Sequence, residues 1–211
     1  MNGQIGLFDR NPSPATSVSL PLPDGDVLFF ESFFSAAESD AFFSILKTEV
    51  SWRQEKINLY GREIDIPRLT AWYGDPGRSY KYSGITNKAL PWTPTLKTIK
   101  DRIESASGAK FNSVLLNLYR TGSDGVSWHS DDEPELGTEP TIGSVSFGET
   151  RTFQLKHRIR ENFERVNIEL RHGSFLIMRG PTQRYWLHQI PKTKKTLSPR
   201  INLTFRTILP S

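Results

Sequence analysis

Downstream of Phe111 the chain breaks into short apolar runs separated by turn-forming residues, at 113–119, 142–147, 151–156, 166–170, 174–178, 185–190 and 200–208. Short strands at this spacing predict a β-sandwich, barrel or jelly roll. The upstream half shows helical periodicity. Ser35 and Glu38 form a capping-box signature. The helix they open runs to about Val50, with Phe42, Phe43, Ile45, Leu46 and Val50 on its apolar face. Thr93-Pro94 starts a second helix, with proline at its first position, that carries Leu96, Ile99 and Ile103 and stops near Gly108. Val27 to Phe30 reads as a short strand. Residues 57–82 read as extended and aromatic, with Gly61, Gly74 and Gly77 as turns. Pro12, Pro14, Pro21 and Pro23 make residues 1–25 a flexible or extended arm. No repeat and no second domain is visible, so 26–211 is expected to be one domain.

Composition narrows the chemistry. The chain has 211 residues and no cysteine, which excludes disulfides, zinc ribbons, iron–sulfur clusters and thiol nucleophiles. Any metal must be held by histidine and oxygen. No apolar run reaches the roughly 18 residues of a membrane span, and the N-terminus lacks the pattern of a secretory signal. An intracellular protein is expected: cytoplasmic in a bacterium, with the nucleus open in a eukaryote, and monomeric by default. Net charge is +4. Lys192, Lys194, Lys195 and Arg200 cluster after His188, which permits a polyanionic partner.

His129 and Asp131 are two apart, so in an extended segment both side chains point to one face. A third ligand must come from His157, His172 or His188. His188 follows Trp186 and Leu187 in a strand-like run that a jelly roll can bring opposite the pair. Two histidines and a carboxylate with open positions suit a non-haem iron that binds oxygen. The last strand supports this reading. Arg200, Asn202, Thr204 and Arg206 share one face, with Ile201, Leu203 and Phe205 on the other. Arginines on an inward face need anions, because unpaired buried charge is costly. A dicarboxylic acid supplies two, and the guanidinium fork matches a carboxylate. Asn117 and Tyr119 repeat the alternation in an earlier strand, where they can complete the carboxylate's surroundings.

N-L-Y at 117–119, W-H-S-D-D-E at 128–133, S-V-S-F-G at 144–148, His188 and P-R-I-N-L-T-F-R at 199–206, together with L-T-A-W-Y-G-D at 69–75, resemble the AlkB family of nucleic-acid repair dioxygenases. The resemblance covers about residues 27 to 209 and is greatest to the human-type homologues that act on alkylated DNA and RNA. It implies an α+β protein: a double-stranded β-helix, or jelly roll, over about 111–209, with supporting N-terminal helices and a nucleotide-recognition lid over about 53–84. It implies oxidative dealkylation of bases such as 1-methyladenine and 3-methylcytosine, using Fe(II), 2-oxoglutarate and O2 and releasing succinate, carbon dioxide and formaldehyde.

Residue by residue, it implies His129, Asp131 and His188 as iron ligands. It places Arg200 on the far carboxylate of 2-oxoglutarate, aided by Tyr119 and Asn202. Arg206 falls near the chelating end, with Asn117 nearby. Glu133 matches an acidic residue that meets the exocyclic nitrogen of the base. Trp72 and Tyr82 fall in the lid, and Tyr60 matches a finger used on duplex DNA. Lys192, Lys194 and Lys195 are expected on phosphates. Two rival readings remain at this point: a 2-oxoglutarate hydroxylase of a protein or small molecule, and a non-catalytic nucleic-acid-binding jelly roll.

Overall fold

The computed structural model describes residues 16–59, 61–76, 79–82 and 85–210, with the side chains of residues 59, 79–82 and 85–88 excepted. In chain order the elements are β1 (Val18–Ser19), β2 (Asp26–Phe30), α1 (Ala36–Glu49), β3 (Lys56–Leu59), β4 (Arg62–Asp65), β5 (Leu69–Gly74), β6 (Ser79–Tyr82), β7 (Ile85–Lys88) and β8 (Leu90–Pro91). Then follow α2 (Pro94–Ser107), β9 (Ser113–Tyr119), β10 (Val126–His129), a 3-10 turn (Pro134–Leu136), β11 (Ile142–Gly148), β12 (Arg151–His157), β13 (Val166–Leu170) and β14 (Ser174–Arg179). A short helix, α3 (Thr182–Tyr185), leads into β15 (Trp186–Ile190), and β16 (Arg200–Arg206) ends the series.

An eight-stranded sheet, in the order β1-β2-β14-β11-β16-β9-β5-β8, carries a four-stranded sheet in the order β10-β15-β12-β13. All pairings are antiparallel except the short β5–β8 pair. Consecutive strands alternate between the two sheets, β11 to β12 and β14 to β15, which is the double-stranded β-helix expected.

Strand alternation sorts the side chains into two cores. Ile201, Leu203 and Phe205 of β16 join Val114 and Leu116 of β9 beneath Phe42 and Leu46 of α1 and Leu96 and Ile99 of α2. Each such buried aliphatic side chain contributes roughly 1.5–3 kcal/mol. The opposite faces look into the space between the sheets, where Phe153, Leu155, Leu176, Met178, Trp186 and Ile190 form the second core. The capping box forms as expected: Glu38 N donates to Ser35 Oγ at 3.3 Å, and Ser35 N donates to Glu38 Oε2 at 2.9 Å. Gly148 closes β11 at φ +88°, and a Cβ there would lie 2.4 Å from the Pro199 carbonyl oxygen. That close approach lets β16 begin directly beside it.

Three expectations change. The N-terminal arm is tied down over its described part: β1 pairs with β2, and Leu22 is buried. Trp186 Nε1 donates to the Pro23 carbonyl at 2.9 Å, which fixes the entry to β2. The segment read as a lid contains β5, which is an inner strand of the large sheet with Ala71 and Tyr73 in the core. The hairpins β3–β4 and β6–β7 flank it as separate two-stranded units. Finally, the strand expected at 185–190 starts one residue later, after α3, and β16 stops at Arg206.

Candidate metal centre

β10 and β15 pair antiparallel, and their register sets His129 directly across from His188. Their rings meet edge to face at 4.3 Å between centroids. His129 Nδ1 lies 2.8 Å from the Ser127 carbonyl oxygen. A carbonyl only accepts, so Nδ1 carries a hydrogen, which leaves Nε2 as the ring nitrogen for a metal. His188 stacks on Phe153 at 5.2 Å, and its Nδ1 is buried without a hydrogen bond among the described residues. Burial, with lesser pushes from His129 and Arg206 and an opposing pull from Asp131, lowers its pKa to about 3. The ring is therefore neutral at physiological pH, as a metal ligand must be.

Asp131 follows β10 on a stretch with no regular structure and is 2% exposed. Its backbone N–H donates to Gln183 Oε1 at 2.9 Å, and its Oδ1 accepts from Arg206 Nη2 at 2.6 Å. Burial alone would raise the carboxyl pKa. Arg206, the foremost of the opposing influences, outweighs it and holds the group below its ordinary value. One ligand atom from each of His129, Asp131 and His188 lies within 4.8 Å of the others. Two imidazoles and an ionised carboxylate at this separation fit a divalent transition-metal ion.

The floor beside them comes from β16. Arg200 is 1% exposed, with Nη2 donating to Ser146 Oγ at 2.9 Å. Its guanidinium lies 5.2 Å from the Tyr119 ring, against which Arg151 also lies, at 5.6 Å. Nε and Nη1 of Arg200 are buried with no hydrogen bond among the described residues. Burial and the neighbouring Arg151, opposed by Tyr119, lower the Arg200 pKa to about 10, so it stays cationic at neutral pH. A buried cation with two open N–H groups fits a carboxylate of a bound acid. Asn202 Nδ2 donates to Ser144 Oγ at 2.8 Å and to the Val145 carbonyl at 3.1 Å, and Asn202 accepts from Thr204 Oγ1 at 3.0 Å. A cavity of about 620 Å³, counting its open mouth, runs from His129, Asp131 and His188 to Arg200.

The same cavity takes in Asn117, Tyr119, Asn202, Arg206 and Glu133. Asn117 Oδ1 accepts from Arg68 Nε at 2.8 Å, and Arg206 Nη2 donates to Asp131. Trp72 does not line the cavity. It sits on β5, half-buried and packed against the core between the sheets, opposite Leu115 of β9. Lys192, Lys194 and Lys195 are exposed on the loop after β15 and make no ion pair among the described residues, and none lines the cavity. Tyr60 lies outside the described residues. For Tyr82 the described structure extends to its strand β6 and not to its side chain.

Two residues of the site were not foreseen. Arg68 is buried, lines the cavity and also donates to the Gly125 carbonyl at 3.3 Å. The alternation Arg68, Thr70 at the start of β5 was the available signal. Gln183 reaches Asp131 across 52 positions from a four-residue helix.

Residues 26–206 match the model of the 2OG-Fe(II) oxygenase superfamily. The chain is 46% identical over 217 residues to the alpha-ketoglutarate-dependent dioxygenase alkB homolog 3 of Homo sapiens, covering 97% of this chain and 71% of that one. It is 42% identical over 224 residues to the DNA oxidative demethylase ALKBH2 of Mus musculus, covering 99% and 94%. The solved structure of OsALKBH1 superposes with a TM-score of 0.59 at 17% identity, covering 86% of this chain and 96% of that one, a likeness of fold.

Proposed function

Because the chain belongs to the 2OG-Fe(II) oxygenase superfamily, and within it to the AlkB family, we propose that it oxidatively dealkylates N-alkylated bases in nucleic acid. It is a dioxygenase whose cofactors are Fe(II), 2-oxoglutarate and O2. The observation that carries the reading is one cavity with a metal-binding triad at one end and a buried arginine with two uncommitted N–H groups at the other. This pairing favours a 2-oxoglutarate enzyme over a non-catalytic binding module. The relatives' names, which specify DNA demethylation for ALKBH2, favour nucleic acid over a protein or small-molecule substrate.

In this reading His129, Asp131 and His188 would hold the iron, and Arg200 would take the far carboxylate of 2-oxoglutarate. When bound, iron and 2-oxoglutarate with O2 supply the oxidation of an N-methyl group to a carbinol that releases formaldehyde, with succinate and carbon dioxide as the other products. The chain's own groups place and match charge. Arg206 keeps Asp131 ionised. Burial keeps His188 neutral, so no proton competes for its lone pair. Asn202, bonded to Ser144 and Thr204, fixes the wall beside Arg200. Glu133 at the cavity would accept from the exocyclic nitrogen of an entering base. A base inside a duplex cannot reach this depth, so it enters flipped or single-stranded. The exposed lysines after β15 would carry the phosphates.

Incubation with Fe(II), 2-oxoglutarate and single-stranded DNA and RNA oligonucleotides bearing 1-methyladenine tests this. The expected result is succinate formation matched by loss of the methyl mark on at least one polymer. Uncoupled succinate with no demethylation of either, under reducing conditions, would overturn the nucleic-acid reading.

A further inference from the structure

Asp131 lies outside every ladder of the two sheets, so no strand partner fixes its backbone. Two contacts hold it. Arg206 grips one carboxylate oxygen, and the Asp131 N–H donates to Gln183 Oε1 at 2.9 Å. Gln183 is 2% exposed, and its Nε2 meets only the Met178 sulfur, at 3.5 Å. A thioether is a weak acceptor. The amide orientation is therefore set by Asp131, because the reversed amide would oppose two donors. A buried carboxamide with one strong bond is a poor packing choice where methionine or leucine would fill the space.

The helix that carries Gln183 is itself anchored. Thr182, 1% exposed, accepts from the Asp26 N–H at 2.9 Å and donates to the Arg179 carbonyl at 2.5 Å. Arg179 also pairs with Asp26 at 3.0 Å. The start of β2 thus pins α3, and α3 runs directly into β15, which delivers His188. One anchored turn sets two of the three ligand-bearing segments.

We propose that Gln183 is a positioning residue for the metal-binding carboxylate: its amide oxygen fixes the backbone of Asp131, so that the carboxylate, gripped by Arg206 at one oxygen, faces His129 and His188. The inference rests on the metal-dependent function proposed above. Outer partners of metal ligands typically set affinity by about 10–100-fold.

The test is cobalt(II) titration followed by its visible absorption, with melting of the metal-free proteins beside it, on wild type, Asp131→Ala, Gln183→Met and Gln183→Glu. Gln183→Met keeps length and volume and loses the acceptor. Its cobalt affinity is expected to fall at least about tenfold. Gln183→Glu keeps an acceptor at the same reach and adds negative charge near the cation, so it is expected to bind cobalt at least as tightly as wild type. Gln183→Asn, one methylene too short, serves in place of Gln183→Met should that variant fail to fold, with the same expected loss. Wild-type cobalt affinity in Gln183→Met overturns the proposal, as does equal weakening of Gln183→Met and Gln183→Glu, which would mean a packing role. A wild-type protein that binds no cobalt would instead overturn the functional reading on which the proposal stands.

Discussion

The two ends of the cavity floor use the same side chain in opposite ways. Arg206 is spent inside the protein, on Asp131 at 2.6 Å. Arg200, six residues earlier on the same strand face, donates to Ser146 and lies against Tyr119, and among the described residues its Nε and Nη1 make no hydrogen bond. The first arginine neutralises a ligand that must stay ionised. In the proposed function the second would hold its charge for an anion from outside. A site that must accept an acid and a cation together needs one arginine of each kind, and the alternation of β16 places both on one wall.

The largest effects are expected at the Asp131 end. Asp131→Ala is expected to abolish iron(II) binding, checked by metal content after dialysis. Arg206→Leu leaves a buried carboxylate without its countercharge, and is expected to cost the metal-free protein about 3–5 kcal/mol by denaturant unfolding. At the other end, 2-oxoglutarate with metal at about a hundredfold over its dissociation constant should stabilise wild type by about 2.7 kcal/mol. Arg200→Met should lose most of that gain when melted under the same conditions. A retained gain would place the acid elsewhere.

The pH dependence separates His188 from both arginines. His188 has its pKa depressed to about 3 by burial, so below pH 6.5 the unfolded chain binds a proton that the folded chain refuses. Stability of the metal-free protein is expected to fall as pH drops from about 6.5, by up to about 1.4 kcal/mol per unit from this group. His188→Leu should flatten that part of the curve, read by unfolding at pH 7, 6, 5 and 4. The smallest effect tests the buried charge itself: Arg200→Met should raise metal-free stability by roughly 1 kcal/mol, because it removes a cation that burial disfavours.

Much of this was legible in the residues because its signals are local. The alternation of Arg200, Asn202, Thr204 and Arg206 needs no knowledge of neighbouring strands, and the capping box at Ser35 and Glu38 is contained in four residues. What escaped depends on partners far along the chain. Arg68 matters because β5 pairs with β9 and brings it to Asn117, 49 positions away. Gln183 acts through a backbone N–H, which every residue but proline has, so no residue type at 131 announces it. Trp72, expected in the lid, lies on β5 and packs against the core between the sheets, a placement that depends on the distant strand β9. Among the described residues no helix is long and apolar enough to cross a membrane, as the short apolar runs had implied.

The cross-strand pairing of His129 and His188 has a consequence for assembly. They are partners in one rung of the β10–β15 ladder, with an irregularity just before it. A slip of one residue in that rung turns one imidazole to the opposite surface. With His129 and His188 as the proposed ligands, metal would be captured only by chains whose sheet has closed in the correct frame. An ion present during refolding would select for the right topology, proofreading the fold that later puts it to use.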